Sequence, residues 1–258
     1  MSTISIPLDP TNPGQVYACF GLIELFDLAD SRTDSRFEVS DQHPRKGRFE
    51  IRSDRQLDLP ALLSQVAAAS SENLDHPEKA VQPVRLRLAS GEILLDWWFD
   101  WFRVKTVSLK CWAGKVTTEK LMKELIMFID PATDTEHLFY VPCMMTTRFG
   151  IDPRSAWNAL DVGYSPNEHN QDAATYPLVE LLGAVGLQGF RPNSDTRDSV
   201  IYSLWKTWLP RVPARRAATI GWPGLSCSRY EFSIEKRGQS YKFFTFAHQP
   251  KGKLPHES

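Results

Sequence analysis

Ser2-Thr3-Ile4-Ser5-Ile6-Pro7-Leu8-Asp9-Pro10-Thr11-Asn12-Pro13-Gly14-Gln15-Val16-Tyr17-Ala18-Cys19-Phe20-Gly21-Leu22-Ile23-Glu24-Leu25-Phe26 changes its periodicity within its own length. Residues 3–7 alternate as a short strand does, and Pro7 with the turn Asp9-Pro10 ends them. A helix-start signal follows: Asn12 as N-cap, Pro13 at the first helical position, and Gln15 three residues after the cap. Cys19, Leu22, Ile23, Phe26 and Ala29 then recur at helical spacing as one apolar stripe. Gly21 sits inside that helix at a cost of about 1 kcal/mol against alanine, and close packing on a neighbouring backbone is the usual compensation.

Reading outward, two strands are expected near Phe37 and over residues 48–52. A second helix is capped by Asp58, with Leu59, Leu62, Leu63 and Val66 buried. Residues 70–83 read as a polar loop. Val84, Leu86 and Leu88 then alternate with Arg85 and Arg87, as in a half-buried strand. Strand-helix-strand-strand-helix-strand is the order of a ferredoxin-like fold. Beyond Gly91 a returning strand runs through Ile93-Leu94-Leu95-Asp96-Trp97-Trp98. A third helix covers 117–130, with Leu121, Leu125, Phe128 and Ile129 inward, and a fourth runs from about Thr175 and stops at Gly186. The C-terminal part reads as strands: 200–209, then 229–236 and 240–246 around a turn at Arg237-Gly238-Gln239. The expected class is α+β, with a ferredoxin-like half over 1–90, a second α+β half over 91–248 and a tail over 249–258.

Composition narrows the function classes. In 258 residues the hydrophobic share is 42% and the charged share 24%, enough for a core and a solvated surface. Net charge is -1, against the strong basic excess of a freestanding non-specific nucleic-acid binder. Four scattered cysteines form no Cys-x-x-Cys pair and read as reduced thiols. The first residues carry no secretory pattern, and the expected location is the cytoplasm.

No phosphate loop, dinucleotide fingerprint or nucleophile elbow occurs. The six histidines show no zinc spacing, so neither cofactor nor metal is expected. Asp96 and Asp100, two carboxylates at even spacing, would share one face of a strand and could bind a divalent cation. That is the route to an alternative reading as a metal-dependent nuclease. The favoured reading is non-catalytic.

Two segments lack any acid. Between Trp101 and Thr118, Arg103, Lys105, Lys110 and Lys115 are spread among Trp101, Phe102 and Trp112. Between Ser199 and Tyr230, Lys206, Arg211, Arg215, Arg216 and Arg229 alternate with Tyr202, Trp205, Trp208 and Trp222. Cations neutralise phosphates and aromatic faces stack on unpaired bases. The candidate nucleic-acid contacts are therefore Arg103, Lys105, Lys110, Trp112, Lys115, Lys206, Arg211, Arg215 and Arg216.

Four islands are similar to a known family. Residues 12–25, quoted above, resemble the N-terminal signature of proteins encoded in type I-G (formerly I-U) CRISPR loci. Leu95-Asp96-Trp97-Trp98 with Lys110-Cys111-Trp112-Ala113-Gly114 resembles a second island, and Phe149-Gly150-Ile151-Asp152-Pro153-Arg154-Ser155-Ala156-Trp157-Asn158-Ala159-Leu160-Asp161 a third. Tyr176-Pro177-Leu178-Val179-Glu180-Leu181-Leu182, running to Gly186-Leu187-Gln188-Gly189-Phe190-Arg191-Pro192, resembles a fourth. The family pattern has Thr at Cys111, Gln at Lys115 and a basic residue at Gly189. The resemblance implies a compact subunit of an RNA-guided effector complex, acting with crRNA, target DNA, other complex subunits and the helicase-nuclease. It implies a large-subunit-like place near the flanking motif, or alternatively a ferredoxin-like backbone or end subunit binding crRNA. The family supplies no catalytic residues.

Overall fold

The computed structural model describes residues 1–29, 32–40, 42–112, 116–156, 173–192, 199–222, 224–237 and 241–250. Strand β1 (Ser2–Leu8) leads through the turn at Asp9 into α1 (Pro13–Leu28). The Asn12 side chain caps the helix by accepting from the Gln15 amide at 3.2 Å. The Gln15 side chain reaches past the cap and accepts from the Asp9 amide at 2.6 Å. Strands β2 (Thr33–Val39) and β3 (Gly47–Ser53) follow, and β3 lies between β1 and β2, antiparallel to both. This is a split strand-helix-strand unit, the first half of the ferredoxin-like order.

The closing half departs from that order. α2 (Leu59–Ala67), capped by Asp58, buries Leu59, Leu62, Leu63 and Val66 as the spacing requires. Residues 70–83, expected as loop, contain β4 (Ser70–Asn73) and a short 3-10 turn at Lys79–Val81. β5 (Val84–Leu88) pairs with β4 and with β6 (Gly91–Leu95) in a separate antiparallel sheet instead of closing on β1. Alternation specifies which residues of β5 are buried; it does not specify which edge the strand joins. The expected division at residue 90 passes through the β5–β6 turn, and buried apolar residues on both sides belong to one core cluster.

After β6 come a two-stranded hairpin, β7 (Phe99–Asp100) and β8 (Lys105–Thr106), and then α3 (Thr118–Met127), capped by Thr117. α3 buries Leu121, Met122, Leu125 and Ile126, whereas Phe128, expected inward, lies past the helix end and is exposed. β9 (Cys143–Met145) pairs with β10 (Ala173–Thr175), and α4 (Pro177–Gly189) follows. α4 continues through Gly186, where a stop was expected. A Cβ on Gly186 would fall onto the Tyr17 carbonyl oxygen, and one on Gly21 onto the Leu182 carbonyl. These glycines let α1 and α4 pack backbone to backbone, which explains Gly21 within a helix.

β11 (Ser199–Trp205) is shorter than expected. After β12 (Leu209–Pro210), which adds to the β2 edge, the chain forms α5 (Arg211–Ile220), between expected strands and where no helix was expected. β13 (Cys227–Arg237) pairs with β11 and with β14 (Tyr241–Phe244). Phe244 of β14 is buried and pairs with Ile234. Gly238 and Gln239 of the expected turn, and the tail from residue 251, lie outside the described residues.

The molecule is α+β, and α1 is its axis. Every residue from Pro13 to Phe26 is buried, so the single expected stripe is in fact a helix enclosed on all sides. Phe20 stacks on Phe190 (4.4 Å) and Trp205 (5.7 Å) and meets Phe37 edge-on (6.0 Å). A second aromatic cluster joins Trp97, Trp98, Trp112 and Phe149. Among the described residues no helix is long and apolar enough to cross a membrane.

Candidate nucleic-acid interface

Just past β6 the chain turns sharply, with the Phe99 amide donating to the Asp96 carbonyl at 2.9 Å. Trp97 and Trp98 point inward and are fully buried, and Trp98 Nε1 donates to the Val81 carbonyl at 3.0 Å. These anchors fix the root of the β7–β8 hairpin. Paired strands of two residues each cannot hold a hairpin alone, and side chains supply the rest. Asp100 Oδ1 accepts from the Phe102 and Arg103 amides at 3.0 and 3.1 Å, shaping the turn. Trp101 Nε1 donates to Asp96 Oδ2 at 2.7 Å, and the His76 ring meets Phe99 and Trp101 edge-on.

Asp96 ties the hairpin to α4. Its Oδ1 accepts from Gln188 Nε2 at 3.0 Å and from Arg191 at 2.7 Å, while its own amide donates to Gln188 Oε1 at 3.0 Å. Beyond this clamp the tip stands in solvent. Phe102 is 100% exposed, Val104 76% and Trp101 47%, with Arg103 and Lys105 exposed beside them. Val104 adopts φ +49°, a conformation that β-branched residues rarely take and that stores strain at functional sites.

The remaining expected contacts are distributed differently. Lys110 is half-buried, and its Nζ donates to the Trp112 carbonyl at 2.9 Å and lies 4.8 Å from that ring; burial lowers its pKa. Trp112 belongs to the buried aromatic cluster and offers no open face. Lys115 lies outside the described residues. Lys206 is exposed. Arg211 pairs with Glu24 at 3.2 Å and Asp27 at 3.0 Å, and Arg215 holds both Glu24 oxygens, with Nε at 2.8 Å. These two arginines fasten α5 onto α1. Arg216 points outward over Trp222 at 5.4 Å.

The structure thus brings Arg103 and Lys105 together with Trp101 and Phe102, and separately Arg216 with Trp222. Trp208 receives its cations from other strands, Arg36 at 4.7 Å and Arg52 at 4.2 Å, a pairing that sequence proximity could not reveal.

The outer face of the β1-β3-β2 sheet carries ion pairs: Arg36 with Glu38 and Glu50, Arg52 with Asp34, Arg48 with Glu136. The Trp208 ring lies against this face, met by the Arg36 and Arg52 guanidiniums. Asp96 and Asp100 do not share a strand face; each carboxylate is engaged in its own network, Asp96 at the clamp and Asp100 in the hairpin turn. No group of three His, Cys, Asp or Glu residues is placed to hold a metal among the described residues.

Elsewhere, Glu180 on α4 is fully buried and accepts from the Gly150, Ile151 and Asp152 amides at 2.9, 3.4 and 3.0 Å. Burial outweighs those donors and pushes its pKa up to about 7. Burial also raises the Cys111 thiol, which leaves it unsuited to nucleophilic chemistry. Compared with known proteins, the chain matches no family model, no curated protein and no solved structure.

Proposed function

We propose that this chain is a non-catalytic protein subunit of a type I-G CRISPR RNA-guided effector complex, working in the cytoplasm and touching guide RNA or target DNA through the β7–β8 hairpin. The family part of this reading rests on the resemblance of the four islands. The nucleic-acid part is carried by one observation, the braced hairpin that holds Trp101, Phe102, Arg103 and Lys105 in solvent. Cations gain affinity by releasing phosphate counterions, and aromatic faces add stacking that tolerates any base. In such complexes guide pairing reads sequence while protein holds backbones and reads a short flanking motif. A projecting hairpin suits a large-subunit-like position near that motif, beside the other subunits and the helicase-nuclease.

The split unit β1-α1-β2-β3 favours a second reading as a ferredoxin-like backbone or end subunit binding crRNA. The outer sheet face weighs against it, because its arginines are ion-paired with carboxylates and the Trp208 ring there is met by Arg36 and Arg52.

The test is binding of RNA and DNA by the purified chain and by its complex over a salt series. Arg103→Glu with Lys105→Glu should weaken binding by at least tenfold and flatten the salt slope without moving the melting temperature. Equal binding by the double variant would remove the hairpin from the interface.

A further inference from the structure

We infer that the cleft between α5 and the end of the β1-β3-β2 sheet binds a small zwitterion, an α-amino acid held by its carboxylate on Arg32 and by its ammonium on Asp54. This goes beyond the nucleic-acid reading and is independent of it.

The cleft has a volume of about 470 Å³, within the range that small-molecule sites occupy. On one side lies the end of the sheet, where Thr33 of β2 faces Ser53 of β3 and the Ser53 hydroxyl donates to the Arg32 carbonyl at 3.1 Å. On the other lie residues 210–213, where β12 passes into α5. Among the described residues three arginines and three aspartates line the cleft, so its formal charges balance. That balance offers a phosphate or a divalent cation no net attraction. Four of the six charges are committed to two ion pairs, Arg52 with Asp34 at 3.1 Å and Arg211 with Asp27 at 3.0 Å.

Arg32 and Asp54 remain. Each lies one residue beyond the Thr33–Ser53 pair, at the same end of the sheet, and both are exposed. Opposite charges on neighbouring strands ordinarily attract each other into a pair. Here neither side chain has a hydrogen-bond or ion-pair partner among the described residues, and both line the cleft. A ligand with one charge of each sign close together satisfies both, and an α-amino acid is the simplest such molecule. The start of α5 supports the carboxylate end. Its N-cap is Pro210, which supplies no side-chain cap, so the first-turn amides favour an anion beside them. Two polar atoms of lining residues, Thr33 Oγ1 and Arg211 Nε, are also buried without a partner. Such groups are rare, and a ligand rich in polar atoms is one source of the missing partners.

The test is calorimetric titration of the full chain, alone and in its complex, with the common L-α-amino acids one at a time. Acetate, methylammonium and inorganic phosphate serve as part-ligands. At least one amino acid should bind, and each part-ligand should bind about tenfold more weakly or worse. Arg32→Ala and Asp54→Ala should each weaken that amino acid by about tenfold, the loss of one charge-assisted hydrogen bond. Arg32→Lys should keep most of the affinity. Both positions are exposed, so without ligand the variants should melt with wild type. With the amino acid present, wild type should gain more in melting temperature than either alanine variant.

No binding of any amino acid by chain or complex would overturn the inference, as would binding that neither alanine substitution weakens. Acetate or phosphate bound as tightly as the amino acid, through Arg32 but not Asp54, would make the cleft an anion site and overturn the zwitterion. Methylammonium bound as tightly, through Asp54 alone, would overturn it from the other side. Each of these outcomes leaves the nucleic-acid reading standing.

Discussion

Single residues set the spacing of the interior. Alanine at Gly21 or Gly186 would place a methyl group on a partner backbone, which cannot swing aside as a side chain can. Each substitution should destabilise by about 3 kcal/mol or more, read as a lower denaturant midpoint. Glu180 makes a second prediction. Its pKa is raised from 4.5 to about 7, so between those values the folded chain binds a proton that the unfolded chain has released. Stability from this group is full below pH 4.5 and is lost as pH rises through about 7. Wild type should therefore weaken between pH 5 and pH 8 by up to ~3 kcal/mol relative to Glu180→Gln. Denaturant melts of both proteins at the two pH values measure that difference, and parallel curves would contradict it. Gly189 offers a further comparison: a Cβ there would fall on the Glu24 carboxylate. Glu24 is met instead by Arg211 and Arg215 from α5.

Elements show where sequence patterns suffice and where they fail. The caps at Asn12 and Asp58 each use a side chain that bonds an amide within its own turn, so they were legible locally. α5 was not. Its buried face is Ala214, Ala217 and Ala218, at helical spacing but without the large side chains that mark a stripe, and Pro213 lies near its start. The acid-free stretch after Trp101 was read as one basic-aromatic surface, yet it divides near Val107. Residues 101–106 are exposed, while Leu109, Cys111 and Trp112 are buried among residues brought from distant parts of the chain. In the same way Arg211, Arg215 and Arg216 look alike in sequence, but only Arg216 faces outward. Arg215→Ala should destabilise by about 2–4 kcal/mol by leaving buried Glu24 short of a partner. Arg216→Ala should stay within about 0.5 kcal/mol, and thermal melts distinguish the two.

In the whole molecule, the four islands that suggest a family converge in space. Gly21 and Gly186 join the first to the fourth, and Asn12 Nδ2 donates to Asp152 Oδ1 at 3.0 Å to join the first to the third. Glu180 holds the amides of 150–152, Trp112 packs on Phe149, and Gln188 and Arg191 close on Asp96. The described residues of the islands are thus the frame on which the hairpin is mounted; residues 113–114 and 157–161 lie outside the described residues. The most direct measurement of the central claim is recovery of the tagged chain from cells bearing its neighbouring genes, followed by sequencing of co-purified nucleic acid. Guide RNA of uniform length is expected in the eluate, together with the other complex subunits. Protein recovered alone, free of RNA and partners, would contradict it.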